Sequence, residues 1–451
     1  MTPNAHRSIA LAAVTMLLAG LLAGCGAALA PNPPTDPGAS APATTAPSPS
    51  ASAGSPAATP ESSASPGSSS TPSITLPPDL AAEYARIEEQ VQQIRGLTSE
   101  RDVPKAVLDE AQLKERVEAD FASTATPEYW TAYTRLLRGM GLLGPTQDAG
   151  ELMRELLESQ IAGFYDTEAD ELYLIARNGE PGPTEKVTFA HEFNHALQDQ
   201  SFDLDGLELD ALDQTDRTTA RLSLIEGDAT LLMTMWTVNG LTPSEAIQML
   251  GESLDPAQTE ILARMPAVLS ENLMFPYQDG MSFVTAIRER GGWEAVNRAF
   301  ATPPDSTEQI LHPEKYFSGE DPVAVTLPSG LESGMGSDWK ITLQDTIGEL
   351  QWRIWLDQAG SRDAASEAAA GWGGDRIALL EGRNGRAAIV ALTAWDTAGD
   401  ATDFAARAEA VTQRLGGSTS VNRNAGDPKR VAIVIASDAA TRTSAEKALG
   451  L

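Results

Sequence analysis

The stretch His191-Glu192-Phe193-Asn194-His195 decides how this chain is interpreted. Its two histidines stand one helical turn apart, so in a helix both imidazoles lie on one face and can bind a single metal ion. Glu192 follows the first histidine, where a carboxylate can reach a water on that ion without binding the ion itself. The chain contains only 4 histidines in 451 residues, so this spacing is roughly a one-in-a-few-hundred coincidence. It predicts a helix carrying a catalytic metal site; a surface helix with two incidental histidines is the alternative.

Two histidines do not complete a catalytic zinc site, which needs three protein ligands and one open position for water. No histidine follows His195 before His312, and positions 198 and 201 are Gln and Ser. We therefore expect a carboxylate as third ligand. Glu226 is preferred because it is the only glutamate in a largely apolar helix, where an unpaired acid is costly, and Gly227 beside it would allow another helix to approach closely. The other acids considered are Asp199, Asp203, Asp205, Glu208, Asp210, Asp213 and Asp228.

His191, Glu192 and His195, with Glu226 on a later helix, resemble the glutamate-ligand branch of the zincin metalloproteases, the gluzincins. The resemblance covers about residues 105–320 and is most specific at the pentapeptide. It implies Zn²⁺ held by His191, His195 and Glu226, with Glu192 as general base, and a peptide or protein as substrate. It also implies an edge strand before the motif helix that pairs with extended substrate.

The implied reaction needs a hydrogen-bond donor for the oxyanion. His312 follows a short predicted helix and is the only histidine of the folded body outside the motif, so we expect it in this catalytic role. Tyr277 and Tyr316 are alternatives for the donor, and a cation at a helix C-terminus is the alternative role of His312.

The chain departs from the family pattern at one position. Many gluzincins carry an aspartate four residues after the ligand glutamate, where this chain has Thr230. Asp199 or Asp228 could instead accept a hydrogen bond from a ligand histidine. Either could equally be a solvated acid on a helix surface.

Residues 1–24 predict a lipoprotein signal peptide, because a short positive start precedes an apolar run that is too short to span a membrane comfortably. The sequence Leu22-Ala23-Gly24-Cys25 resembles a bacterial lipobox. This implies cleavage before Cys25 and acylation, for example with palmitate, at the extracytoplasmic face of a bacterial membrane. Cys25 is the only cysteine, so no intramolecular disulfide can form. A plain secretory signal with a free cysteine is the alternative.

The remaining sequence divides into three parts. Residues 25–77 are rich in Pro, Ala, Ser and Thr and predict a disordered linker. Residues 78–335 predict a mainly helical zincin-like metallopeptidase domain with a small edge sheet, including a hairpin over residues 161–175. Residues 336–451 predict a smaller α+β domain of unknown role, with strand-like patterns that include the run from Trp339 to Trp355. The expected fold class is α+β.

The net charge of −31 argues against nucleic acid and against adhesion to anionic lipids. We therefore expect membrane contact only through the lipid anchor. A serine or cysteine hydrolase is disfavoured, since no Gly-x-Ser-x-Gly motif occurs and the cysteine is assigned to the anchor. The favoured function is a membrane-anchored extracytoplasmic zinc metalloprotease. The alternatives are a non-catalytic surface lipoprotein that uses the scaffold for binding or assembly, and a zinc amidase that acts on a non-peptide bond.

Overall fold

Capping residues and apolar spacing divide the first half of the chain into helices around a small sheet. The computed structural model describes residues 78–175, 182–253, 256–423 and 426–451, so the predicted signal peptide, Cys25 and the linker lie outside it. The elements of this half are α1 (Pro78–Arg95), β1 (Lys105–Leu108), α2 (Glu110–Thr124), α3 (Pro127–Gly139), α4 (Ala149–Gln160), β2 (Gly163–Asp166), β3 (Glu171–Ile175), α5 (Pro183–Ser201), α6 (Thr215–Gly240), α7 (Pro243–Ser253), α8 (Pro256–Arg264), α9 (Ala267–Ala301), α10 (Thr307–Leu311), α11 (Pro313–Ser318) and α12 (Leu331–Met335).

The three short strands form a sheet in the order β1-β3-β2. β2 and β3 are the predicted hairpin, and β1 pairs with β3 in parallel. Helix α5 covers this sheet with its apolar stripe, in which Phe189 and Phe193 are buried. Tyr84 of α1 stacks on Phe189 with ring centroids 4.2 Å apart. The motif helix therefore lies between the sheet, α1 and α6.

Helices α6 and α9 cross at a pair of glycines. A β-carbon on Gly227 would lie 2.3 Å from both the carbonyl carbon and the oxygen of Gly280. Only glycine permits this contact, because both neighbouring atoms belong to the backbone and cannot rotate away. The close approach that Gly227 predicted is confirmed, and it fixes the distance between α6 and α9 at this point.

The second half is built on a five-stranded antiparallel sheet with helices packed against it. Its elements are β4 (Lys340–Asp345), α13 (Gly348–Asp357), α14 (Arg362–Ala369), β5 (Trp372–Glu381), β6 (Ala387–Trp395), α15 (Ala398–Leu415), β7 (Ser418–Arg423), β8 (Arg430–Ala436) and α16 (Ala439–Leu449). The strands lie in the order β4-β5-β6-β8-β7. With its helices this sheet makes the fold α+β, as predicted. Among the described residues, no helix has the length and apolar character needed to cross a membrane.

The strand-like interpretation of Trp339 to Trp355 is wrong in its second part, where α13 is a helix. A short apolar run does not distinguish a strand from a buried helix. The buried carboxylate of Asp375 accepts the N–H groups of Ile347 at 3.0 Å and Gly348 at 2.9 Å. An acid that is distant in sequence thus accepts the first N–H groups of α13, which have no partner within the helix. No local sequence pattern indicates this contact.

The two halves share their hydrophobic cores. Ala132 and Leu136 of α3 belong to the same buried cluster as Trp352 and Trp355 of α13. In the opposite direction, Leu350 of α13 packs in the core formed around α6 and α9. The boundary near residue 335 stays a prediction, and side chains pack across it from both directions.

Buried aspartates meet at the junction of the halves. Asp345 accepts the N–H of Thr215 at 2.9 Å, and Asp216 accepts that of Thr307 at 2.8 Å. Burial raises the pKa of Asp345 to about 7, an effect that Thr215 reduces and Asp375 increases. The folded protein therefore keeps a proton on Asp345 that the unfolded chain releases near pH 4.

We expect the free energy of unfolding to fall as the pH rises, because folded Asp345 binds this proton more tightly than the unfolded chain does. The contribution of Asp345 to stability is complete below about pH 4, decreases as the pH rises above that value, and is lost once the pH has passed about 7. Asp345→Asn should remove the loss, so its unfolding free energy relative to wild type should rise by on the order of 3 kcal/mol between pH 4 and pH 8. Urea unfolding at several pH values measures this, with the exposed Asp403→Asn as control. Parallel pH profiles for wild type and Asp345→Asn would contradict it.

Candidate metal centre

Three ligand atoms converge between α5 and α6. His191 Nε2 lies 3.0 Å from His195 Nε2 and 3.1 Å from Glu226 Oε2, and His195 Nε2 lies 3.4 Å from the same carboxylate oxygen. The two histidines come from neighbouring turns of α5, and Glu226 comes from the facing side of α6. The structure thus brings together all three residues predicted as metal ligands.

These separations fit a tetrahedral ion. Bonds of about 2.0–2.1 Å to zinc at tetrahedral angles place neighbouring ligand atoms about 3.3–3.4 Å apart. Within the described part of the chain, no fourth His, Cys, Asp or Glu adds an atom to the cluster of His191, His195 and Glu226. Three protein ligands with one position left for water are the arrangement of a catalytic zinc rather than a structural one.

The charges of the three residues also suit a cation. Burial alone would raise the pKa of Glu226, but the two histidines more than offset this and lower it to about 2. Burial alone would lower the pKa of His195, yet Glu226 and Glu192 raise it to about 9. For His191, burial prevails over Glu226 and keeps its pKa below the ordinary value. The ionised carboxylate therefore favours positive charge between the imidazoles, which a divalent cation would supply.

Glu192 lies beside this cluster as a buried carboxylate without a hydrogen-bond partner among the described residues. Burial raises its pKa to about 8, an effect that His195 and, to a smaller extent, the Tyr165 backbone reduce. Strand β2 passes close by, since a β-carbon on Gly163 would lie 3.3 Å from Glu192 Cγ and 2.8 Å from Thr188 Cγ2. An orphaned buried carboxylate is costly and calls for an ion, a water or a reaction to account for it.

Behind His195, a chain of hydrogen bonds leads away from the cluster. Gln198 Oε1 lies 2.8 Å from His195 Nδ1, and Gln198 Nε2 donates to Asp228 Oδ2 at 2.8 Å. Arg95 of α1 donates from Nε to both oxygens of Asp228, at 2.8 and 3.1 Å. Asp228 is therefore linked to His195 through Gln198, a residue that was not predicted from the sequence. Its position three residues after His195, on the same face of a buried helix, was the available signal.

Asp199, the other acid considered for that role, is engaged elsewhere. It accepts from the Tyr165 hydroxyl at 3.0 Å and lies 3.5 Å from Arg101. At the first histidine, the Nδ1 atom of His191 is buried without a hydrogen-bond partner among the described residues, and so is the hydroxyl of Thr230.

Of the three residues considered as oxyanion donors, Tyr277 is the one in contact with the cluster. Its buried ring lies 6.1 Å from that of His191, centroid to centroid. His312 instead pairs through Nε2 with Glu349 of α13 at 3.0 Å, and Tyr316 donates to the carbonyl of Thr302 at 2.8 Å. No described contact brings His312 to the metal ligands, so its predicted catalytic role gains no support from the structure.

The centre is closed in this conformation. His191, Glu192 and His195 are 0% exposed and Glu226 is 1% exposed. A groove of about 790 Å³ at the junction of the halves is lined by Arg217, Val323 and Arg376, among others, but by none of these four residues.

Comparison with known proteins identifies a domain in the second half. Residues 340–446 match a domain of unknown function, DUF8575, which spans the five-stranded sheet. No curated protein matches the chain. Among solved structures, a protein described as "a putative hydrolase with a novel fold" from Chloroflexus aurantiacus is 16% identical, with a TM-score of 0.34, over 55% of this chain and 91% of that one. At this level of similarity the neighbour informs neither the fold nor the chemistry, so residues 78–339 must be interpreted from their own geometry.

Proposed function

We propose that this chain is a zinc-dependent metallopeptidase held at the extracytoplasmic face of a bacterial membrane by a lipid on Cys25. The observation that carries the proposal is the convergence of His191, His195 and Glu226 within 3.4 Å of one another. Next to them lies Glu192, whose carboxylate has no hydrogen-bond partner in the part of the chain that the structure describes. Hydrolysis by a metal-activated water requires three protein ligands that leave one coordination position open for water, and a nearby carboxylate that can accept a proton.

Each residue has a distinct role in this proposal. The three ligands would hold a zinc ion, which would supply Lewis-acid activation of water and, as a nearby positive charge, would lower the raised pKa of Glu192. With its carboxylate ionised in this way, Glu192 accepts a proton from the attacking water and delivers it to the leaving amine. Tyr277, stacked near His191, is the residue best placed to donate to the developing oxyanion. The edge strand β2, which passes Glu192 at Gly163, is where an extended peptide would align.

One observation favours a second candidate, a non-catalytic lipoprotein that binds metal. All four residues are at most 1% exposed, and a metal site that is closed to substrate in this conformation could bind an ion without catalysing a reaction. Two features support catalysis instead: the fourth ligand position has no candidate among the described His, Cys, Asp and Glu residues, and a structural site has no use for an unpaired Glu192. Hydrolytic activity separates the two candidates.

Metal removal tests the proposal on the full-length protein extracted from membranes in mild detergent. We expect one tightly bound zinc per chain by elemental analysis, and loss of casein hydrolysis after dialysis against a chelator. Added zinc should restore hydrolysis, whereas magnesium should not, since it prefers oxygen ligands. Hydrolysis that persists in zinc-depleted protein would contradict the catalytic assignment.

The anchor is tested by growing the producing cells with radiolabelled palmitate. Wild type should become labelled, whereas Cys25→Ser should not, because it lacks the thiol that would be acylated. A wild type without label would contradict the anchor.

A further inference from the structure

We propose that Gln198, Asp228 and Arg95 form a positioning network that sets the tautomer of His195 and keeps its Nε2 lone pair directed at the metal. The proposal rests on the proposed function, because it assigns residues that act through a metal ligand. It adds a residue of the N-terminal helix, far from the motif in sequence, to the support of the site.

The first step is the orientation of the Gln198 amide. Its nitrogen lies 3.0 Å from the carbonyl of Ile225 and 2.8 Å from Asp228 Oδ2. Both of these atoms are acceptors, so the NH₂ group must face them and cannot be exchanged with the oxygen. The amide oxygen is thereby directed at His195 Nδ1, 2.8 Å away.

The second step is the proton on His195. An amide oxygen can only accept, so Nδ1 of His195 must carry a hydrogen. In the neutral imidazole the lone pair then resides on Nε2, the atom that faces His191 and Glu226. A metal ligand needs this tautomer, and the hydrogen bond made by the other ring nitrogen selects it.

The third step is the charge that holds Gln198 in place. Asp228 and Arg95 have side chains that are 0% exposed, and Arg95 Nε donates to both oxygens of Asp228. The guanidinium also donates to Asn297 at 2.7 Å and lies 4.6 Å from the Trp293 ring. A buried, paired carboxylate is a strong acceptor with a fixed position, so it fixes the amide that donates to it.

Arg95 therefore connects four helices around the site. It belongs to α1, its partner Asp228 to α6, Gln198 to α5, and Asn297 to the last part of α9 beyond the break at Gly291 and Gly292. A purely structural ion pair would not need an amide interposed between it and a metal ligand. Asp228 fixes the Gln198 amide, and the amide oxygen in turn fixes the orientation of the His195 ring. This link to His195 distinguishes the network from an incidental buried ion pair.

The test uses the full-length protein with zinc affinity measured by competition with a chromophoric chelator. Gln198→Leu should weaken zinc binding about 10- to 100-fold, the effect typical of a lost partner of a ligand histidine. At full occupancy, the cobalt-substituted variant should show a shifted visible absorption spectrum, because His195 is no longer held in one orientation. kcat should fall more than KM changes. Gln198→Glu combined with Asp228→Asn exchanges the amide and the carboxylate, and should recover part of the affinity by restoring an acceptor for Nδ1.

Arg95→Met should weaken zinc binding in the same direction, with Arg95→Lys as a milder variant if removal of the buried charge prevents folding. Gln90→Leu is the matched control: Gln90 also joins α1 to α6, by accepting from Trp236 Nε1 at 3.0 Å, but it does not contact Asp228. It should lower the melting temperature while leaving zinc affinity within about twofold.

The outcomes separate the two proposals. Wild-type affinity and an unchanged cobalt spectrum in Gln198→Leu, with an active zinc-containing wild type, would overturn the network and leave the peptidase intact. A wild type that binds no zinc would overturn the peptidase and the network with it. Equal losses of affinity in Gln90→Leu and Arg95→Met would reduce Arg95 to a structural residue.

Discussion

Replacing Glu192 with glutamine is expected to lower kcat for peptide hydrolysis about 100- to 10,000-fold while zinc content stays at the wild-type level. The amide has nearly the shape of the carboxylate but cannot accept a proton at neutral pH, so only the proton transfer is lost. Glu192 is not one of the three converging ligands, and metal binding should therefore be unaffected. Steady-state kinetics with a fluorogenic peptide, together with elemental analysis, give both quantities.

The folded state should tolerate Glu192→Gln well. Neither oxygen of Glu192 has a hydrogen-bond partner among the described residues, so the substitution breaks no hydrogen bond, and removal of a buried ionisable group relieves a cost. We expect a melting temperature equal to or above that of wild type, because residues required for activity often lower the stability of the folded state. Glu289→Gln, at an exposed position on α9, is the control for the chemical change. Wild-type kcat in Glu192→Gln would rule out the assigned base, and loss of zinc would instead make Glu192 a ligand.

Gly227→Ala is expected to produce the largest loss of stability, about 3 kcal/mol or more. The new methyl group would lie 2.3 Å from two backbone atoms of Gly280, so α6 and α9 must separate. The substitution itself favours a helix by about 1 kcal/mol, which is too little to offset the clash. Because Glu226 precedes Gly227, separation of the helices should also displace the third ligand and weaken zinc binding.

Gly251→Ala provides the matched control for this experiment. Gly251 lies in helix α7, and a β-carbon there would meet no atom within 4 Å. The same chemical change should then stabilise the protein by up to about 1 kcal/mol. Chemical denaturation of both variants measures the difference. A Gly227→Ala protein as stable as Gly251→Ala would show that the two helices do not meet as closely as described.

Local rules were enough to select the three residues that converge, because each of them carries its own signal. The histidines of α5 have helical spacing, and Glu226 is conspicuous as the only glutamate in an apolar helix. Both are properties of single helices, which short-range sequence patterns describe. The facing arrangement of α5 and α6 then follows from the need to pair a buried acid.

The pairing of Arg95 with Asp228 was not predictable in this way. Arg95 and Asp228 are separated by 133 positions, and no periodicity indicates which distant charge will neutralise a buried acid. His312 attracted a catalytic prediction because histidine is scarce in this chain, yet its ring pairs with Glu349. Scarcity identifies a chemically capable residue but says nothing about where the fold places it. Only tertiary packing decides that.

The shared cores restrict how this protein can change over evolutionary time. Leu350 of α13 lies in the core of the first half, and Leu136 of α3 lies in that of the second. Loss or exchange of either half would leave apolar side chains without their neighbours and expose them to water. Recombination at residue 335 would therefore yield aggregation-prone fragments. The two halves are expected to be inherited together, and substitutions in α3 and α13 should be correlated across related sequences.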